Sequence, residues 1–215
     1  MLQVACYTFN FIQENTYVVY DDESLEAVII DAGNQYDNEN QRLFTFITDQ
    51  HLQVTRLLNT HAHIDHIIGN EACATKFGLQ PEIHAEDLST FENTIQSSVL
   101  WGVDLSAAPL PKLTLREHEE IVLGNERLKI LFTPGHSSGH VSFYSAKQHF
   151  ILSGDVIFHG SIGRTDLPGG DTKTLHTSIQ KKIYMLPPQT AIYSGHGEPT
   201  TVGFEMANNP FVRGA

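Results

Sequence analysis

Short apolar runs separated by turn residues dominate the start of the chain. Residues 9–20 and 26–30 are rich in β-branched and aromatic side chains, a composition typical of strands. A charged turn at 21–24 separates the two runs, and the turn-forming residues 31–34 end the second. The pattern predicts two strands, after which helices and strands alternate.

Helical spacing of apolar side chains follows at 40–50 and again at 67–77, where Gly78 ends the run. A short apolar strand is predicted between them, at 54–58. The second half returns mainly to strands, with one helix at 174–185. These strands are predicted at 121–123, 126–132, 141–145, 150–153 and 191–193.

The middle of the chain, residues 93–120, has weak periodicity and turn signals at Gly102, Pro109 and Pro111. A long irregular segment in a compact protein is usually functional or mobile, so we interpret it as a candidate lid or insertion. Each half otherwise repeats strands and then a helix. The length suits one domain, and we expect a single α/β domain over 1–215 with two sheets covered by helices.

Acidic residues outnumber basic ones in this chain. The 25 Asp and Glu against 13 Lys and Arg give a formal net charge of −12, which argues against nucleic acid or an anionic membrane as a partner. No run approaches the roughly 18 apolar residues that span a membrane, and the first six residues lack the basic start of a signal peptide. We therefore expect a cytoplasmic protein.

The chain has 12 histidines, and they are densest in segment 61–66, which reads His-Ala-His-Ile-Asp-His. Residues two apart in an extended segment point the same way, so His61 and His63 can bind one ion. Asp65 and His66 lie where the chain reverses into the next predicted helix, which brings them to an adjacent position. Four such side chains would be costly to bury without a cation, so the segment predicts a metal site.

Three further candidates, His136, Asp155 and His196, each follow a predicted strand in a short turn that contains glycine. Catalytic groups concentrate on loops that a rigid scaffold holds in this way. The seven candidates divide into one set of His61, His63 and His136, a second set of Asp65, His66 and His196, and a bridging Asp155. A solvent hydroxide between two ions would make the site catalytic, and the mixed ligands suit zinc, iron or manganese.

These residues resemble the His-x-His-x-Asp-His signature and later ligands of the metallo-β-lactamase superfold, over nearly the whole chain. Segments 154–171, 195–197 and 209–213 are similar to the glyoxalase II family, the hydroxyacylglutathione hydrolases, in its short single-domain branch. The resemblance implies an αββα sandwich of two mixed β-sheets flanked by helices, with Asp31 supporting the metal site from beneath. The two-domain enzymes of this family add a C-terminal helical glutathione-binding domain. Only a short tail follows His196 here, so we expect that domain to be absent.

By this resemblance the chain is a metal-dependent hydrolase in which a metal-bridging hydroxide attacks the carbonyl of a glutathione thioester such as S-lactoylglutathione. Two zinc ions are expected, with iron or manganese as alternatives, in a monomer or small homo-oligomer whose partner is the small-molecule thioester. Asp65 would orient the hydroxide as well as bind metal. Arg164 either anchors a substrate anion or forms a salt bridge with Asp166. His140, four residues after His136, is expected to support the ligands.

Three other functions remain open. A persulfide dioxygenase-like enzyme would use a single iron held by His61, His136 and Asp155. A hydrolase of another ester, a lactone or a β-lactam would use the whole ligand set. A metal-binding or partner-binding module without activity would leave the open metal positions unexplained. The iron count with oxygen uptake, and turnover across thioesters, would distinguish these functions.

Overall fold

Two six-stranded β-sheets pack face to face. The structure is a computed structural model that describes residues 1–214. In the first sheet, strands β1 to β3 are antiparallel and β3 to β6 are parallel. In spatial order these strands are β1 (Leu2–Phe9), β2 (Glu14–Asp21), β3 (Glu26–Ile30), β4 (Gln53–Leu58), β5 (Pro81–His84) and β6 (Lys112–Leu115).

The second sheet is also mixed, because one pair of its strands is parallel and the others are antiparallel. In spatial order it consists of β14 (Thr200–Thr201), β13 (Ala191–Ser194), β10 (Phe150–Gly154), β9 (Val141–Ser145), β8 (Glu126–Phe132) and β7 (Glu120–Leu123). The parallel pair is β10 and β13. A separate two-stranded hairpin is formed by β11 (Ile157–Phe158) and β12 (Ser161–Ile162).

Six α-helices connect and flank the sheets. They are α1 (Asp37–Asp49), α2 (Ile64–Ile67), α3 (Asn70–Phe77), α4 (Leu88–Ser97), α5 (Thr172–Ser178) and α6 (Val202–Asn208). A π-helical turn, Ile179–Ile183, continues α5. Among residues 1–214, no helix has the length and apolar character that a membrane crossing requires.

Three apolar layers hold the sandwich together. Between the sheets, Ile30 of β3 belongs to the same buried cluster as Phe143 of β9. Leu43 of α1 packs in the cluster on the outer face of the first sheet, and Leu175 of α5 packs in the cluster on the outer face of the second. The order helix, sheet, sheet, helix confirms the predicted αββα sandwich of two mixed sheets.

The predicted strand at 9–20 is wrong at its start, because β1 begins at Leu2 and the chain reverses before β2. Asn10 and Gln13 adopt the left-handed conformation, with φ of 52° and 62°, and this conformation serves tight turns. The turn also carries the apolar residues 11–12. The apolar pattern therefore continues through the reversal and conceals it.

The predicted helix at 67–77 is two helices, α2 and α3, and the first begins one turn earlier than expected. The break lies at Gly69, whose N–H donates a hydrogen bond to the carbonyl of Ala32 at 2.7 Å. A Cβ at this position would lie 2.4 Å from Oδ1 of Asn34. Glycine is required here because the chain passes so close to the end of β3.

The prediction of an irregular segment at 93–120 is wrong in part. The segment contains the end of α4, a 3₁₀ turn at Ser98–Trp101 and the edge strand β6. The four residues of β6 alternate polar and apolar, but so short a run predicts a strand only weakly, and three of the four are exposed. Backbone pairing with β5 determines this element.

Candidate metal centre

The seven predicted ligands meet at one end of the sandwich, where strands of both sheets end. Segment 61–66 follows β4 of the first sheet. His136, Asp155 and His196 follow β8, β10 and β13 of the second sheet. Their ligand-type atoms form overlapping groups within 4.8 Å. The fold thus brings together all the side chains that the sequence pattern selected.

The first group consists of three histidines. Nε2 of His136 lies 3.1 Å from Nε2 of His61 and 2.8 Å from Nδ1 of His63. Burial and the neighbouring imidazoles lower the pKa of His61 well below its usual value. Burial and His136 lower the pKa of His63 to about 3. Both rings are therefore neutral near pH 7, the state that metal binding requires.

The second group combines a carboxylate with two histidines. Oδ2 of Asp65 lies 3.0 Å from Nε2 of His196 and 3.6 Å from Nε2 of His66. Burial alone would lower the pKa of His66, but the surrounding carboxylates, first of all Asp65, raise it well above its usual value. The buried negative charge around His66 therefore favours a positive charge at this position.

Asp155 faces both groups. Its Oδ2 lies 3.6 Å from Nε2 of His136 and 3.6 Å from Nε2 of His196, and its Oδ1 lies 3.5 Å from Nε2 of His66. Burial would raise the pKa of Asp155, but these histidines lower it below the usual value. An ionised carboxylate between two sets of imidazoles has the position expected of a ligand that bridges two ions.

Buried polar atoms without hydrogen-bond partners mark where a cation fits. Nε2 of His66 and Oδ1 of Asp155 are buried, and neither has a hydrogen-bond partner within residues 1–214. Such atoms are rare in folded proteins, and a cation between them would satisfy both. Imidazole nitrogens and carboxylate oxygens together form a donor set that fits zinc, iron or manganese.

Asp31, expected beneath the site, lies against His66 and is linked to His61 through Thr60. Its Oδ2 lies 3.0 Å from Nδ1 of His66. The carboxylate also accepts hydrogen bonds from the N–H and the hydroxyl of Thr60, both at 2.7 Å. The Thr60 hydroxyl lies 3.0 Å from Nδ1 of His61. Asp31 therefore orients His66 directly and His61 through Thr60, as partners of metal-binding histidines commonly do.

His140, the other residue expected to support the ligands, contacts the bridging candidate. Its Nε2 accepts a hydrogen bond from the backbone N–H of Asp155 at 3.1 Å, and its Nδ1 pairs with the hydroxyl of Thr133 at 3.0 Å. Burial and His136 lower the pKa of His140 well below its usual value. The ring is therefore neutral, and it holds the backbone of Asp155 in place.

Arg164 contacts the site through its backbone rather than its side chain. Its carbonyl accepts a hydrogen bond from Nδ1 of His136 at 2.8 Å, a contact that the sequence did not indicate. Its guanidinium donates to both carboxylate oxygens of Asp166, at 2.7 and 2.8 Å, and both side chains are exposed. This is the salt bridge considered from the sequence. Exposed pairs of this kind contribute little stability.

Glu14 is a buried carboxylate that sequence analysis missed. Its Oε2 accepts a hydrogen bond from the hydroxyl of Thr16 at 2.9 Å, and its Oε1 lies 3.9 Å from Nδ1 of His66. Burial raises the pKa of Glu14 well above its usual value. A Cβ at Gly33 would lie 1.9 Å from Oε2, so the glycine makes room for this carboxylate. In the sequence, Glu14 lies inside the run 9–20 that predicts one strand, and nothing distinguishes it from an ordinary polar residue of a strand.

Asp87 joins the two loops that carry histidines, and it too was missed. Its carboxylate accepts hydrogen bonds from the backbone N–H of Ala62 at 2.6 Å and of Gly139 at 3.1 Å. Thr94 of α4 donates to the carbonyl of Ala62 at 2.8 Å. The residue between His61 and His63 is therefore held at both backbone groups. The only signal in the sequence is an Asp at the start of an amphipathic helix, which indicates a cap.

Replacing Asp87 by Asn should loosen both loops, because the amide offers one acceptor oxygen where the carboxylate offers two. A buried N–H left without a partner costs about 1–3 kcal/mol, and we expect a loss of this size in the free energy of unfolding. Metal affinity should fall about tenfold, the lower end of the range for residues that orient ligands. Urea denaturation and metal titration measure the two effects.

Glu86→Gln is the matched control, because Glu86 is the exposed neighbour of Asp87. We expect this variant to unfold and bind metal as the unmodified protein does. Equal effects of the two substitutions would show that Asp87 does not hold the histidine loops.

Comparison with known proteins gives a family for this geometry. A family model for the metallo-beta-lactamase superfamily matches residues 10–196. The hydroxyacylglutathione hydrolase GloC of Haemophilus influenzae is 36% identical, over 93% of this chain and 93% of its own length. The seven predicted ligands all lie within the matched residues.

Two solved structures are similar over nearly their whole length. The crystal structure of the BLEG-1 B3 metallo-beta-lactamase has a TM-score of 0.85 and 37% identity, covering 99% of this chain and 100% of that one. The structure of TTHA1623 in a di-iron-bound form has a TM-score of 0.85 and 36% identity, covering 97% and 100%. With the fold, the ligand geometry and the family match in agreement, this chain belongs to the metallo-beta-lactamase superfamily.

Proposed function

We propose that this protein is a metal-dependent hydrolase of glutathione thioesters such as S-lactoylglutathione. The observation that carries the proposal is the position of Asp155, whose carboxylate faces histidines of both ligand groups. Zinc is the proposed cofactor at both positions, with iron or manganese as alternatives, and the related TTHA1623 structure is described as di-iron-bound. In this proposal His61, His63 and His136 hold one ion, Asp65, His66 and His196 hold the other, and Asp155 contacts both.

The residues of the chain would orient the reactants. Bound divalent ions supply water of lowered pKa and polarise a carbonyl. Asp65 and His196 line the cleft beside the site, and a carboxylate there can accept a hydrogen bond from the attacking water. Asp65 is the proposed catalytic residue for this reason. The leaving thiolate is a weak base, so it departs without a proton from the protein.

Two observations support glutathione as the thiol carrier. The relative GloC is named a hydroxyacylglutathione hydrolase. Arg164 lines the cleft and is exposed, so we propose that it exchanges Asp166 for a carboxylate of glutathione. In the same proposal the enzyme is cytoplasmic and residues 1–215 form one domain.

Hydrolysis of β-lactams is a second candidate, and one comparison favours it. The BLEG-1 structure, 37% identical to this chain, is described as a B3 metallo-beta-lactamase. The attacked carbonyl of a β-lactam and that of a thioester make the same demand on the metal centre. The two substrates differ in their leaving groups, an amide nitrogen in one case and a thiolate in the other.

The deciding experiment compares the two substrates on zinc-loaded protein. We expect kcat/KM for S-lactoylglutathione of about 10⁴ M⁻¹s⁻¹ or more, within the usual range for enzymes, and much slower hydrolysis of a cephalosporin. A chelator should abolish the activity and added zinc should restore it. A faster cephalosporin reaction would favour the second candidate, and oxygen uptake on glutathione persulfide by iron-loaded protein would favour a dioxygenase.

Arg164→Ala tests the carrier in the same assay. It should raise KM for S-lactoylglutathione about tenfold and leave kcat nearly unchanged, because the contact is lost from substrate and transition state alike. Arg127→Ala is the matched control, since Arg127 is exposed with the guanidinium at 3.7 Å from Glu120. Equal KM values in the two variants would show that the Arg164 side chain does not bind the substrate.

A further inference from the structure

A cleft of about 520 Å³ opens beside the candidate metal centre, a size typical of sites for small molecules. Its walls are mainly apolar. The polar groups that the reaction needs are the metal ligands, at one end of the cleft. The β1–β2 turn, the 3₁₀ turn after α4 and the β11–β12 hairpin all contribute to it. The apolar side chains that line it include Ile12, Ile64, Trp101, Phe158, Ile162 and Leu167.

The polar wall of the cleft, formed by α4, offers a ligand few free hydrogen-bond donors. The hydroxyls of Thr90, Thr94 and Ser97 line the cleft. Each donates a hydrogen bond to another protein oxygen, at 3.0, 2.8 and 2.7 Å. Of the other uncharged polar residues in the lining, Asn93 is exposed and Ser161 is half-buried. A polar group placed against the three α4 hydroxyls would therefore leave water without gaining a donor from them, which is unfavourable.

Charged groups are confined to the mouth of the cleft and to the metal ligands. Among the described lining residues, Arg164 is the one Lys or Arg, and its side chain is 58% exposed. Glutathione carries two carboxylates and an ammonium group, all of which keep their hydration in an open position. The carrier therefore suits the mouth near Arg164, and the apolar interior is left for the acyl group.

We propose that this cleft selects thioesters whose acyl group is apolar and longer than lactoyl, such as a chain of about six carbons. The proposal rests on the proposed thioester hydrolysis and names the acyl class that the same site prefers. Burial of one methylene group favours binding about fourfold. An acyl chain with several buried methylenes therefore gains more binding free energy in this cleft than a lactoyl group gains through its single hydroxyl.

The apolar surface continues outside the cleft at the 3₁₀ turn. Val99 and Leu100, which precede Trp101, are 74% and 88% exposed. Exposed apolar side chains that adjoin a binding cleft commonly belong to the binding surface. Trp101 is the single tryptophan of the chain and is itself half exposed. The tryptophan emission of the protein therefore comes from a residue that lines this cleft.

The kinetic test compares acetyl, lactoyl, butyryl and hexanoyl thioesters on two carriers, glutathione and the uncharged N-acetylcysteamine. We expect kcat/KM to rise at least about tenfold from acetyl to hexanoyl on both carriers. A flat or falling series on the carrier that is hydrolysed would overturn the inference. If only N-acetylcysteamine thioesters react and the rise is present, glutathione as carrier fails and the acyl preference stands.

A binding test gives an answer even without turnover. S-hexylglutathione and S-methylglutathione are thioethers that the enzyme cannot hydrolyse, and they differ only in the apolar chain. We expect S-hexylglutathione to shift the Trp101 emission to shorter wavelength and to saturate at a concentration at least about tenfold lower than S-methylglutathione. Equal affinities of the two compounds would contradict an apolar acyl site. No response to either would contradict glutathione as the carrier, and the N-acetylcysteamine series then decides the acyl preference.

Matched leucine variants complete the test. Leu167 lines the cleft, whereas Leu110 is 73% exposed and lies outside the lining. Leu167→Asn should remove most of the increase in kcat/KM from the acetyl to the hexanoyl thioester. Leu110→Asn should keep this increase. Circular dichroism establishes that both variants are folded. A rise retained in Leu167→Asn, together with unchanged S-hexylglutathione binding, would place the acyl chain elsewhere.

Discussion

Asp155→Ala is expected to remove bound metal from both positions and to lower kcat/KM at least about a thousandfold. The carboxylate faces Nε2 atoms of His66, His136 and His196 at 3.5–3.6 Å, so its removal leaves each ligand group without the negative charge between them. Loss of a residue that only orients a metal ligand lowers metal affinity or activity about 10–100-fold. Loss of a carboxylate that both ligand groups share should lower metal affinity and activity by a larger factor.

The measurement is metal content after loading and dialysis, together with thioester hydrolysis and circular dichroism. Asp49→Ala is the matched control, because Asp49 is exposed at the end of α1. This control should keep two ions and full activity. A folded Asp155→Ala protein that retained two ions and its activity would refute the bridging assignment.

The ligand residues could be read from the sequence because their spacing carries the geometry. His61 and His63 alternate in an extended segment, and Asp65 and His66 begin a helix, so four side chains converge through local structure alone. The later three could be found since each follows a strong apolar strand. Parallel pairing of β10 with β13 then places two of these strand ends side by side.

The residues that support the ligands could not be read in this way. Asp87 contacts Ala62 and Gly139, which lie 25 and 52 positions away in the chain. Glu14 begins β2, directly after the β1–β2 turn. The apolar residues of that turn were predicted to belong to a strand. These contacts depend on how distant segments pack, and no local pattern encodes that packing. Asp31 was identified only through the family resemblance.

Several short strands were missed for a related reason. β5 and β6 have four residues each, and β14 has two. A run of this length is too short to show a period of two, and β6 is mostly exposed. Their place is determined by the hydrogen bonds that the neighbouring strand offers. The six-stranded width of each sheet was therefore beyond the reach of sequence periodicity.

Asp31→Asn should lower metal affinity about 10–100-fold while the backbone keeps its shape. Asp31 has a φ of 56°, a conformation that Asn tolerates and most other residues do not, so the substitution isolates the charge. Oδ2 of Asp31 lies 3.0 Å from Nδ1 of His66. It therefore favours the tautomer with the hydrogen on Nδ1, which leaves the lone pair of Nε2 for a metal.

The amide nitrogen that Asp31→Asn introduces replaces either Oδ2, which faces both His66 and the Thr60 hydroxyl, or Oδ1, which faces the Thr60 N–H. Facing His66, it favours the opposite tautomer, in which Nε2 carries the hydrogen and cannot bind metal. In place of Oδ1, it loses the hydrogen bond of 2.7 Å from the Thr60 N–H, at about 1–3 kcal/mol of unfolding free energy. Metal titration and urea denaturation separate the two, with the exposed Glu198→Gln as control. Unchanged affinity and stability in Asp31→Asn would show that its charge does not set the state of His66.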